Sequence, residues 1–94
     1  MQLPASASIA QMPELLPRLD RAVAEAGAGE LVVDASALQE LDSSTLSLLL
    51  QAHRRVKQAG GSMVVRGAPP KLRELARLYG VDELLSLQPG ADAH

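Results

Sequence analysis

Four small polar residues in succession, Asp42-Ser43-Ser44-Thr45, separate Leu41 from an aliphatic run beginning at Leu46, and three of them carry a hydroxyl. Their position predicts a helix start. Such a start gathers unpaired backbone N–H groups and about half a positive charge, so a hydroxyl there can be a cap, a phosphate acceptor or a docking point. A cap alone contributes on the order of 1 kcal/mol and needs one such residue. Four exceed that need. A phosphate on Ser43 would face the positive end of the helix while setting roughly two negative charges beside Asp42. One placement stabilises and the other repels, which is the electrostatic basis of a switch.

Other chemistries fail on reach or ligand count. A hydrolytic triad built from Ser43 or Ser44 with His53 and Asp34 or Asp42 would have to span about 15 Å along one helix, and no Gly-x-Ser-x-Gly elbow is present. His53 falls on the stripe of Leu46, Leu49 and Leu50 and reads as a half-buried histidine at the edge of the core. The two histidines are His53 and the tail residue His94, and no carboxylate cluster has ligand spacing, so no metal site is expected. Gly60-Gly61 ends a helix and precedes a strand, the reverse of a phosphate-cradling loop, so no cofactor is expected. Arg54, Arg55, Lys57, Lys71, Arg73 and Arg77 are interleaved with acidic residues such as Glu74 and read as solvated helix faces, at most the rim of a protein contact. The residues therefore point away from an enzyme.

Ninety-four residues with 47% hydrophobic content suit one domain, 1–94, with residues 88–94 as a loose tail. Tyr79 is the single aromatic residue, so the core must be aliphatic and stacking on nucleic-acid bases is nearly excluded. A net charge of −2 argues against neutralising phosphate backbones or anionic lipid. Zero cysteines remove disulfides and thiol chemistry. No run approaches the ~20 apolar residues of a membrane span, and no basic-then-apolar leader opens the chain. A cytoplasmic protein without direct membrane insertion is expected.

The elements that would position the hydroxyl cluster follow from hydrophobic spacing. Leu15, Leu16, Leu19, Val23 and Ala26 recur at three and four residues, predicting a helix from Pro13 to Ala26 that Gly27 and Gly29 close. Glu30–Asp34 has the pattern of a strand covered on both faces. The second helix runs from the cap to Gly60-Gly61, and Ser62–Arg66 is a second strand, reached by a parallel crossover. Gly67-Ala-Pro-Pro70 turns into a third helix, Lys71–Tyr79, with Leu72, Leu75, Ala76 and Tyr79 inward. Asp82–Leu87 is one helical turn or an edge strand, and Met1–Met12 has room for one strand but no hairpin. The expected architecture is α/β, with helices packed on a small mixed β-sheet.

Taken together, Leu31-Val-Val-Asp34, the loop to Leu41, Leu41–Leu50, Gly60–Val65 and Leu75-Ala-Arg-Leu-Tyr-Gly-Val81 resemble a STAS domain over about residues 13–87. That fold is shared by anti-sigma factor antagonists, by cytoplasmic tails of sulfate transporters and by a small subunit of bacterial phospholipid ABC transporters. In the antagonists, the resemblance implies, Ser43 is the phosphoacceptor. In the lipid-transport subunit the same position contacts the ATPase. The short chain, the leucine-packed helix start and the Leu75–Gly80 segment are similar to that MlaB-like subunit. The antagonists carry Asp-Ser-Ser-Gly where this chain has Thr45, and a β-branched residue restricts backbone approach, which weighs against kinase docking.

The resemblance implies a partner surface made of the loop through Gln39 and Glu40, then Asp42, Ser43, Ser44, Thr45, Ser47 and Arg54. The expected partner is an ABC transporter ATPase subunit, which would hold the protein at the inner membrane; the alternative is an anti-sigma factor kinase. The family has a strand ahead of the one assigned to Met1–Ile9, shortened or missing here, and the uncovered sheet edge would favour a homodimer or the partner.

Overall fold

The computed structural model describes residues 1–89. Helix α1, Met12–Ala26, carries Pro13 in its first turn and ends where Gly27 adopts φ +54°. Leu15, Leu19 and Val23 are buried along it, while Leu16 lies at its exposed margin, so the apolar stripe is narrower than its spacing predicts. Strand β1, Glu30–Asp34, has the predicted bounds. Helix α2, Ser43–Gln58, buries Thr45, Leu46, Leu48, Leu49, Ala52 and Val56 and leaves His53 half-buried. Strand β2, Ser62–Ala68, helix α3, Pro70–Leu78, and strand β3, Leu87–Pro89, complete the order. A single 3₁₀ turn, Ile9–Gln11, leads into α1.

The strands lie in the order β1-β2-β3, and both pairs are parallel. Glu30 stands opposite Ser62 and Asp34 opposite Arg66, whereas β3 meets β2 only at Val65 and Ala68 around an irregularity. The mixed sheet expected from the sequence is therefore a parallel one among the described residues. The cause is topological: a helix separates each strand from the next, and a crossover returns the chain in the same direction.

β2 is the central strand and buries Met63, Val64 and Val65 in succession, as coverage on both faces requires. β1 buries only Leu31 and Val33, so its reading as a strand covered on both faces does not hold. The short element after α3 is a turn over residues 82–86 followed by β3, which takes in Gln88 and Pro89 from the stretch assigned to the tail. Residues 90–94, including His94, lie outside the described residues.

The N-terminal strand is reduced to two isolated parallel bridges, Gln2 with Asp34 and Ser6 with Glu40. Even so, Leu3 N–H donates to Asp34 O at 2.8 Å and Asp34 N–H to Met1 O at 2.8 Å, so this segment covers the end of β1. Leu3 and Ala7 are buried in the same core as the leucines of α1 and α2.

At the opposite end of the sheet the backbone is close-packed. A Cβ at Gly61 would stand 2.3 Å from the carbonyl oxygen of Gly29, an atom that already accepts from Ser62 N–H at 3.0 Å. No side-chain rotation relieves that overlap. Gly61→Ala is expected to cost about 1–3 kcal/mol, read as a lowered urea midpoint with an unchanged slope.

Candidate functional site

The loop between β1 and α2 begins with Asp34, whose Oδ1 accepts from Ser36 N–H at 2.9 Å in an Asx turn. Ser36, by its hydroxyl and then by that N–H, holds the Asp34 carboxyl below the usual aspartate range. Across the turn, a Cβ on Gly67 would come within 2.9 Å of the Ser36 Cβ, and Gly67 also adopts φ +68°, so only glycine fits. Leu38 and Leu41 are buried and pin the loop, leaving Gln39 and Glu40 exposed between them.

The four-residue polar cluster divides its labour. Asp42 is the N-cap: Oδ1 accepts from Ser44 N–H at 2.8 Å, and Oδ2 accepts from Ile9 N–H at 3.3 Å, so one carboxylate serves two helical turns. Thr45 completes a capping box by accepting from Asp42 N–H at 3.2 Å and donates its own proton to Ala7 O at 2.7 Å. With 0% exposure, Thr45 does not belong to the surface on which the resemblance placed it. Buried in this way, its side chain cannot obstruct a visitor. Ser43 takes no part in the cap and is exposed, while Ser44 lends its N–H and stays half-buried.

Two grooves flank this helix start. One, of about 460 Å³, is lined by Leu41, Asp42, Ser43, Lys71, Leu75 and Tyr79 among others. The other, of about 300 Å³, is lined by Ile9, Met12, Leu16, Ser44, Ser47 and Gln51 among others. The first two turns of α2 thus form a polar ridge with an apolar trough on each side. Exposed aliphatic and aromatic groups border both: Leu78 at 79% and Tyr79 at 58% on the α3 side, Ile9 at 66% on the α1 side.

The fold therefore brings Asp42, Ser43, Ser44 and Ser47 together, with exposed Gln39 and Glu40 in the loop that leads into them. Arg54 is exposed but borders neither groove, since eleven residues of helix put it about 16 Å from Ser43. Tyr79, placed inward by its spacing, is the C-cap of α3, which stops at Leu78, and it lies exposed at the rim of the first groove. Ile9, Leu78 and Tyr79 are the surface residues that the sequence reading missed. Among the described residues no group of three His, Asp or Glu could hold a metal ion, and no helix is long and apolar enough to cross a membrane.

Thr45→Val keeps the shape but strands Ala7 O and Asp42 N–H, so a loss of about 1–3 kcal/mol is expected in urea unfolding, with Thr45→Ser recovering most of it. Asp34 supplies a pH signature. Its carboxyl is depressed in the folded chain, so its contribution is present above the ordinary aspartate pKa and disappears as pH falls through the lower folded value. Below about pH 4 the wild type should lose stability faster than Asp34→Asn, as measured by melting temperature against pH.

A family model described as "Mlab, STAS domain" matches residues 1–87. The fold is also similar to a solved structure from Planctomyces limnophilus titled as an anti-sigma-factor antagonist (STAS) domain protein. The TM-score is 0.82 at 17% identity, covering 97% of this chain and 80% of that one. At that identity the likeness concerns the fold alone. The family match spans the N-terminal segment, the capped ridge and both grooves, and through it the chain belongs to the STAS domain family, in its MlaB-like branch.

Proposed function

We propose that this protein is a non-enzymatic STAS subunit that binds and regulates the ATPase subunit of an ABC transporter moving phospholipid, and so serves outer-membrane lipid asymmetry. It would sit at the cytoplasmic face of the inner membrane through that partner. The observation that carries the reading is Ser43: an exposed hydroxyl left out of the cap, on a polar ridge between two troughs edged by Leu78, Tyr79 and Ile9. A polar crest with desolvatable apolar flanks is what a protein contact needs. The MlaB-like family match supports an ATPase subunit as the class of partner.

A second reading draws on the same residue. Ser43 stands at the positive end of α2, where a phosphate would meet the helix dipole, and Asp42 beside it would feel the added charge. In that case phosphorylation of Ser43 would control binding to an anti-sigma factor kinase.

Coexpression with the ABC ATPase encoded at the same locus separates the two. The first reading expects a stable complex whose ATP hydrolysis depends on this chain. Ser43→Arg should abolish co-purification while shifting stability by no more than about 0.5 kcal/mol, and Ser43→Thr should bind as wild type. An ATPase that purifies alone and hydrolyses ATP equally well would overturn it. Phosphate mapped to Ser43 by mass spectrometry, after incubation with kinase and ATP, would favour the second reading.

A further inference from the structure

The docking ridge is held in shape by a segment from elsewhere in the chain. Ala5 O accepts from both Gln39 N–H at 2.7 Å and Glu40 N–H at 2.8 Å, and Ala7 N–H donates to Glu40 O at 3.0 Å. Thr45 and Asp42 then hold Ala7 O and Ile9 N–H. Gln39 and Glu40 thus depend on residues 5–7, rather than on the sheet, for these backbone partners. The segment carries its own fastening. Gln11 Oε1 accepts from Ser6 Oγ at 2.9 Å, from Ser8 N–H at 3.0 Å and from Ser8 Oγ at 2.8 Å.

We infer that residues 5–11 are a preorganising strap for the docking face, fastened by Gln11, and that the strap and residues 39–44 open as one unit. Ordering a loop costs conformational entropy, so a face already ordered by the strap binds without that cost at encounter. The effect on affinity rests on the proposed ATPase contact. The coupling between strap and ridge does not.

Hydrogen exchange on the full chain, followed by NMR, tests the coupling. Gln11→Ala removes the fastening and touches neither the α2 cap nor any residue assigned to the partner surface. Amides of Ala7 and Ile9 in the strap, and of Gln39, Glu40 and Ser44 in the face, should all exchange about three- to tenfold faster. Val64 and Val65 in β2 should keep wild-type rates. Gln11→Glu retains the accepting oxygen and should restore protection. Faster exchange at Ala7 and Ile9 with unchanged Gln39, Glu40 and Ser44 would overturn the inference, as would an equal rise throughout β2. In the ATPase complex, Gln11→Ala should raise Kd in inverse proportion to the closed fraction that the exchange rates give, and a Kd that stays put while that fraction falls would refute the preorganising role. A wild-type chain that binds no ATPase would count against the function proposed above, and the exchange pattern would still decide the coupling.

Discussion

The buried hydroxyl of Thr45 is the joint on which the ridge at the start of α2 depends. It accepts from the backbone of Asp42 and donates to Ala7, so a helix start, a loop and an N-terminal segment meet at one oxygen atom. Buried backbone groups demand partners, and a loop outside the sheet must find them among side chains or crossing strands. Here the Asp42 carboxylate and the Thr45 hydroxyl meet that demand at the helix start, and Ala5 and Ala7 meet it in the loop. Because they suffice, Ser43 is left with an exposed side chain and no structural duty.

What was legible beforehand was what local chemistry determines. Glu30–Asp34 announces itself by β-branched residues between polar ends, and Asp42 marks the start of α2 because only a capping residue fits between a loop and a leucine stripe. The long amphipathic α1 follows from spacing in the same way. Hidden features depend on contacts between residues far apart in the chain. Nothing near Thr45 reveals that Ala7 lies beside it. Nothing near Gln39 and Glu40 reveals that Ala5 receives their N–H groups. The strand direction of a mixed sheet was an unneeded allowance, since the two crossover helices leave parallel pairing as the outcome.

Helix ends were the weakest part of the reading for a related reason. Periodicity carries Tyr79 inward, whereas α3 ends at Leu78 and Tyr79, its C-cap, is exposed. Tyr79 thereby joins Leu78 at the margin of a trough instead of packing inward. A family resemblance could point to Ser43 as the centre of an expected surface. It could not tell which neighbours face out, and it wrongly included Thr45, because burial is decided by the fold rather than by residue type.

The exposure of Tyr79 has a practical side. Phe and Trp are absent and this is the single Tyr, so every photon of ultraviolet emission above the peptide background originates at the rim of the trough beside Ser43. The aliphatic interior is spectroscopically silent. Intrinsic fluorescence of this chain is therefore a built-in reporter of occupancy at one face, read without a label.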